Sequence, residues 1–234
     1  PKIEAKFDTP KRKTHCKMFI FDNHSVLLGS TNLSYKSILQ NNESNIYIEN
    51  TVLANFYTDF FNELWKDSNK EPQLKIPRLL NAEPVVNRFY FNKALEMINN
   101  AQKKLDIYIY GLRFSESENN LIKKLVDAVI SANQRGIKVR FMTEKSDYNK
   151  MLNKYNLEVT NYLTANGVEV RFDPINQITH AKFIVADNSV LLGSTNWGYG
   201  AMKTYNEANL FITLPKISDF FYNYFNNLWE NNIK

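Results

Sequence analysis

A histidine, a lysine, an aspartate and a Gly-Ser-Thr-Asn run recur together twice in this chain. The first copy is HCKMFIFDNHSVLLGSTN, His15 to Asn32, and the second is HAKFIVADNSVLLGSTN, His180 to Asn196. In both, the lysine stands two residues after the histidine (Lys17, Lys182) and the aspartate five after the lysine (Asp22, Asp187). A repeat kept for packing preserves apolar spacing and lets polar identities drift, whereas here the polar identities are what recurs. Two imidazoles with two ammonium groups are what cleavage of a phosphodiester without a metal ion would require.

On an extended strand, residues two apart share a face, so His15 and Lys17 point one way and Cys16 the other, as do His180 and Lys182 against Ala181. Gly29 and Gly193 permit close backbone approach where the chain leaves a strand. Ser30, Asn32, Ser194 and Asn196 follow as neutral donors suited to phosphate oxygens, and the two lysines supply charge without strict geometry. Cys16 has no counterpart at position 181 and reads as a small packed residue. His24 falls in a turn and reads as surface. No metal site is expected, because only His15 and His180 are available as imidazole ligands and the two nearby lysines would repel a divalent cation. No cofactor is called for.

The likeness extends beyond the motif. IEAKFD (Ile3 to Asp8) answers VEVRFD (Val168 to Asp173), and Thr14 answers Thr179, at an offset of 165. After the motif the offset is 164: Asn42-Glu43 answers Asn206-Glu207, and FFNELW (Phe60 to Trp65) answers YFNNLW (Tyr224 to Trp229). The lost residue is best placed in a hairpin turn. Self-similarity on this scale means two copies of one folding unit. The expected division is residues 1–68 as the back half of a first repeat, 69–84 as a proline-punctuated linker, and 85–234 as a complete second repeat. The chain opens at Pro1 in mid-unit, which reads as a product lacking the front half of repeat one, since that repeat's strands would otherwise lack neighbours.

Composition sets wider bounds. With 234 residues and 44% hydrophobic content the chain can bury a large core. Its net charge of +5 suits a phosphate-bearing partner. The single cysteine leaves compartment open, and no apolar run approaches membrane-spanning length. Helical spacing is expected over Phe91–Lys103, Asn119–Arg135, Tyr148–Ala165 and Ser218–Asn231. Strands are expected at Leu105–Tyr110, Ile137–Met142, Val168–Phe172, Lys182–Ala186, Val190–Leu192 and Asn209–Thr213. Helices alternate with strands, so the class is α/β with a mixed sheet covered on both faces.

HxKxxxxD followed by GSxN, twice in one chain, resembles the phospholipase D superfamily of phosphodiesterases. The resemblance implies two repeats packed about a pseudo-twofold axis, the first incomplete here, with both motifs in one cleft. It implies that one histidine attacks phosphorus to give a phosphohistidine, with His15 favoured, while the other protonates the departing oxygen and then activates water or an acceptor alcohol. An unperturbed imidazole titrates near pH ~6.5, so one ring can be nucleophile while the other is acid. Lysines and asparagines would hold the charge of the five-coordinate transition state. Carried over by residue, His15, Lys17, Ser30 and Asn32 make one half-site, and His180, Lys182, Ser194 and Asn196 the other. Glu43 and Glu207 resemble carboxylates that orient a histidine, against the plainer reading of an ordinary salt bridge. Asp22 and Asp187 would support the hairpins.

Lys11-Arg12-Lys13 precedes the first motif where Ile175 to Ile178 precede the second, so one rim of the cleft should be more basic. Trp197 and Tyr199 could stack on a base, sit at a lipid interface or fill core, with core the first reading for Trp197. Three functions follow in order: a phosphodiesterase on a phospholipid headgroup, with peripheral membrane contact; a metal-independent nuclease; and an inactive phosphate- or nucleic-acid-binding module. A separate chain is one possible source of the missing first-repeat strands.

Overall fold

A computed structural model describes residues 2–114 and 120–231 of the chain. Strands β1 (Met18–Phe21) and β2 (Ser25–Gly29) form a hairpin, and β3 (Asn45–Glu49) pairs antiparallel with the far side of β2. The turn spans Asp22 to His24, with Asp22 and Asn23 at φ of 50° and 53°, a left-handed conformation that Asp and Asn tolerate better than most residues. A short helix α1 (Tyr35–Leu39) follows the first motif. Helix α2 (Thr51–Lys66) starts where the Asn50 side chain accepts from the Leu53 N–H at 3.0 Å. Its buried residues, Leu53, Phe56, Tyr57, Phe60 and Leu64, recur at helical spacing and make one apolar face.

The remaining elements are β4 (Ala82–Val86), α3 (Phe89–Asn100), β5 (Lys104–Ile109), α4 (Leu121–Gln134), β6 (Lys138–Thr143), α5 (Lys150–Ala165), β7 (Glu169–Phe172), β8 (Lys182–Ala186), β9 (Ser189–Gly193), α6 (Tyr199–Lys203), β10 (Ala208–Thr213) and α7 (Pro215–Glu230). Their strands form one sheet in the order β4-β10-β9-β8-β5-β6-β7. Pairs β5/β6 and β6/β7 are parallel and the other four antiparallel. The class is the mixed α/β architecture expected. The one-residue difference between motifs does fall in the hairpin turn, because β8 and β9 are joined by Asp187 and Asn188 alone.

Several boundaries differ from expectation for local reasons. The connector expected over 69–84 runs into β4, where Pro84 lies opposite Leu210. Pro84 is tolerated because β4 is the edge of the sheet and a missing N–H breaks no central ladder. Helix α3 ends at Asn100, since Ala101 turns extended at ψ 132°. Helix α5 begins at Lys150 rather than Tyr148, because Asn149 caps it by accepting from the Leu152 N–H at 3.0 Å. Helix α7 starts early, at Pro215, whose fixed φ suits a first helical position. The expected start of α4 at Asn119 lies outside the described residues.

Two apolar cores result. Helices α3 and α4 cover one sheet face through Ile107, Phe141, Ile184, Leu191 and Trp197. The other core joins the copies: Tyr57 and Phe60 of α2 and Phe221 and Phe225 of α7 pack with Val26 and Leu28 from one sheet and Phe183, Val190 and Leu192 from the other. Each such aromatic contributes roughly 2 kcal/mol by leaving water. The Tyr57 hydroxyl also donates to the Asn209 carbonyl at 2.6 Å, tying the copies together through a buried hydrogen bond. Among the described residues no helices cover the corresponding face of β1–β3, and Phe19, Phe21 and Tyr47 stand exposed on it. None of the described helices is long and apolar enough to cross a membrane.

Candidate active site

Both histidines sit just ahead of a strand, β1 or β8, and each is laced to the other copy. The His15 N–H donates to the Asn206 carbonyl and the His180 N–H to the Asn42 carbonyl, both at 2.8 Å. In return the Asn206 N–H donates to the Lys13 carbonyl and the Asn42 N–H to the Ile178 carbonyl, both at 2.9 Å. The residue after each asparagine is a glutamate, so these backbone bonds deliver each carboxylate to the opposite histidine. His15 Nδ1 lies 3.0 Å from both oxygens of Glu207. His180 Nδ1 lies 3.1 Å from Glu43 Oε2 and 3.0 Å from the Ser30 carbonyl. With only acceptors facing Nδ1, the ring proton belongs there, and Nε2 of each imidazole keeps its lone pair.

The glutamates are held in turn. The Ser30 hydroxyl donates to Glu43 Oε2 at 2.5 Å, and the Ser194 hydroxyl donates to Glu207 Oε2. Each hydroxyl also accepts a backbone N–H, from Ser44 at 2.9 Å and Ala208 at 3.0 Å. Both serines are fully buried. Their expected role as phosphate donors is therefore corrected: each has one proton, and it goes to a glutamate. Gly29 and Gly193 make this closeness possible. A Cβ at Gly29 would stand 2.2 Å from the Ser44 carbonyl oxygen, and one at Gly193 2.4 Å from that of Ala208.

The lysines curl back, Lys17 Nζ donating to the His15 carbonyl and Lys182 Nζ to that of His180. Burial brings Lys17 down to about 8 and holds Lys182, only 1% exposed, well below the usual lysine range. Both imidazoles are depressed by burial. His15 falls despite the hydrogen bond to Glu207, and His180 falls to about 4, with Lys182 adding to the effect of burial and outweighing Glu43. Both ammonium groups act on both rings, which places the two half-sites in one electrostatic environment. Burial pushes Glu43 up, but its bonds to His180 and Ser30 and the charge of Lys182 outweigh that and keep it below the usual range.

Asn196 Oδ1 accepts from the Gly111 N–H at 3.2 Å, which turns its amide nitrogen away from that bond, whereas Asn32 is exposed. Asp187 accepts the N–H groups of Gln102, Lys103 and Lys104 at 2.8, 3.0 and 3.2 Å, pinning its hairpin to the start of β5. Asp22 occupies the equivalent turn. Trp197 is core, its Nε1 donating to the Tyr90 hydroxyl at 3.2 Å, while Tyr199 is exposed. Among the described residues no three His, Cys, Asp or Glu side chains gather to hold a metal ion.

Sequence reasoning missed three contributors. The ring of Tyr110 meets that of His180 edge-on at 4.6 Å, and Lys182 Nζ lies 4.8 Å from the Tyr110 ring centre. The Thr179 N–H, one residue before His180, donates to Glu144 at 2.9 Å and Asp173 at 3.1 Å. Burial and the neighbouring Asp173 push Glu144 up to about 9, so this buried carboxyl pair shares a proton. In the first copy Asp8 alone accepts from the Thr14 N–H, at 2.7 Å. The matched aspartates of IEAKFD and VEVRFD were the available signal.

The chain resembles known proteins over most of its length. The family model described as cardiolipin synthase, PLD-like domain, matches residues 2–65 and 94–229. The mitochondrial cardiolipin hydrolase of Xenopus tropicalis is 31% identical over 128 residues, 54% of each chain. The virion nicking-joining enzyme of vaccinia virus (strain Western Reserve) is 30% identical over 159 residues, 60% of this chain and 36% of that one. The chain thus spans about half or less of the length of these curated relatives. Among solved structures, phosphatidylserine synthase of Haemophilus influenzae Rd KW20 superposes with a TM-score of 0.66 at 16% identity, over 87% of this chain and 58% of that one. The phospholipase D family member Nuc of Salmonella typhimurium gives 0.53 at 21% identity, over 64% and 95%. Identities this low establish a shared fold alone, but the family match spans most of the residues on which the site is built: this chain belongs to the phospholipase D superfamily.

Proposed function

We propose that the chain cleaves or transfers a phosphodiester through a covalent phosphohistidine, without a metal ion. The observation that supports this reading is the crossed pairing of His15 with Glu207 and His180 with Glu43, which ties the two half-sites together and engages Nδ1 of each ring so that its Nε2 keeps the lone pair. The Nε2 lone pair of one imidazole attacks phosphorus, and the P–O bond to the leaving group breaks. The departing oxygen takes the Nε2 proton of the other, protonated imidazole. That ring, now neutral, removes a proton from water or an alcohol, whose oxygen attacks phosphorus and breaks the P–N bond. Burial favours neutral rings in the empty site, which suits the nucleophile. The arriving phosphate anion raises the pKa of the ring that must serve as acid. The ammonium groups of Lys17 and Lys182 and the Asn196 amide supply positive potential to the pentacoordinate state.

The leading substrate is a phospholipid headgroup ester, a reading supported by the names of the cardiolipin hydrolase relative and of the matching family model. A nucleic acid backbone is the second reading, supported by the name of the nicking-joining relative and by the cationic and aromatic lining of the cleft beside His15. Turnover of phosphatidylcholine vesicles and of single-stranded DNA, both with chelator present, tests both. Lipid-only turnover removes the nuclease and DNA-only turnover removes the lipase. Binding without turnover of either refutes the enzyme and leaves an inactive binding module. His180→Asn is expected to abolish turnover of either substrate while leaving the circular dichroism spectrum unchanged.

A further inference from the structure

The spaces beside the two half-sites differ in charge although the copies that build them are alike. A space of about 1080 Å³ opens beside His15, Asn196 and Glu207, and Lys13, Arg113 and Lys154 line it. The corresponding space at the other end is smaller, about 400 Å³, and its lining holds one lysine, Lys36, and one acid, Asp147. Position by position the contrast is direct. Ile178 stands where the first copy has Lys13, both carbonyls accepting an asparagine N–H, and Asn41 stands where the second copy has Tyr205.

Two of the three cations at the His15 end, Arg113 and Lys13, are placed by aromatic rings rather than consumed by carboxylates. The Arg113 guanidinium lies 4.2 Å from the Tyr155 ring centre, and Lys13 Nζ lies 5.6 Å from that of Tyr205. A cation on a ring face keeps its net charge while losing side-chain freedom. Of the two acids in this lining, Glu207 is taken by His15, and Glu158 alone stands against three positive groups. The backbone that carries them is anchored to the site. The Arg113 N–H donates to the Trp197 carbonyl at 2.9 Å, next to Asn196, and the Lys13 carbonyl accepts from Asn206, next to Glu207. Lys154 and Tyr155 project from α5. Little ordering remains to be done when an anion arrives.

A substrate with one phosphate would place it between the histidines and leave these charges without a partner. We propose that Lys13, Arg113 and Lys154 form a subsite for a second phosphate of the same substrate molecule, so that the substrate enters with that phosphate on the His15 side. This rests on the phosphodiesterase reading and narrows it. A lipid substrate is then one with two phosphates, and a nucleic acid substrate one with a further phosphate beside the scissile link.

The test compares substrates that differ by one phosphate, using the whole chain. Dithymidylate (one phosphate) is paired with trithymidylate (two), and phosphatidylglycerol vesicles with cardiolipin vesicles. The expected result is a preference for the two-phosphate member of one pair, and that pair names the source. The double variant Arg113→Ala/Lys154→Ala should lower this preference about tenfold, through KM rather than kcat, and flatten its salt dependence by a slope of about 1 to 2. Lys36→Ala, at the opposite end, should leave the preference in place. Equal preference in both pairs overturns the proposal, as does a double variant that lowers both members alike or a Lys36→Ala effect of the same size. The same ratios measured as binding to His180→Asn separate the two ideas. A binding preference that depends on Arg113, in a wild-type chain that turns nothing over, refutes the reaction and supports the subsite.

Discussion

Acidification should destabilise the fold through His180 by an amount set by its burial. The residue is 9% exposed, and its pKa is about 4 in the folded chain against 6.5 for the free side chain. The unfolded chain therefore binds a proton that the folded chain refuses. There is no effect above pH 6.5, and the penalty grows as pH falls from there and is complete below about 4. A difference of 2.5 pKa units corresponds to about 3 kcal/mol at the limit and about 2 kcal/mol at pH 5. Glu43, held below its usual range, stays ionised between pH 7.5 and 5, so the effect there is not masked by its paired carboxylate. Urea unfolding of the wild type and of His180→Asn at pH 7.5, 6.5, 5.5 and 5 isolates the contribution. The wild type should lose about 2 kcal/mol more than the variant across this range. Parallel pH dependences for the two proteins would refute the claim that His180 is kept neutral by burial.

Glu207→Gln keeps the shape of the carboxylate but can present an N–H to His15 Nδ1, displacing the ring proton to Nε2; kcat should fall 100-fold or more with an unchanged fold, and a change under threefold counts against the orienting role. Gly193→Ala forces a methyl 2.4 Å from the Ala208 carbonyl oxygen, and unfolding should show a loss of about 2 to 4 kcal/mol; a variant as stable as the wild type would mean that this crossing relaxes freely. Tyr57→Phe removes the buried hydrogen bond to Asn209 that joins the copies and should cost about 1 to 2 kcal/mol in the same assay, with no loss refuting its part in holding them together.

The half of the candidate site that was legible in the sequence was the half written as polar identity. His15, Lys17, Glu43 and their counterparts could be named because nothing in core packing asks for their recurrence, and the hairpins could be placed because Asp-Asn and the single-residue offset mark turns. The partnership between residues was not legible. Spacing names each glutamate without saying which histidine it serves, whereas the chain crosses them between copies through the backbone bonds of Asn42 and Asn206, a tertiary fact with no local signature. Ser30 and Ser194 were misread for the same reason: a hydroxyl suited to a phosphate is equally suited to a carboxylate, and burial decides between them. Pro84 reads as a breaker in sequence and is harmless at the sheet edge, which only the strand order reveals. Tyr110 follows β5 as one more aromatic after apolar neighbours, and nothing in its sequence surroundings distinguishes a ring packed on a histidine from a ring packed in core.

The most direct measurement is rapid quenching of the chain during turnover, followed by mass spectrometry of the peptides bearing His15 and His180. One of these histidines should carry an acid-labile phosphoryl adduct, and the adduct should accumulate when the other histidine is replaced by asparagine, because the base for its release is then gone. Product formation with no phosphohistidine at either position, or with an adduct on any other residue, would contradict the account.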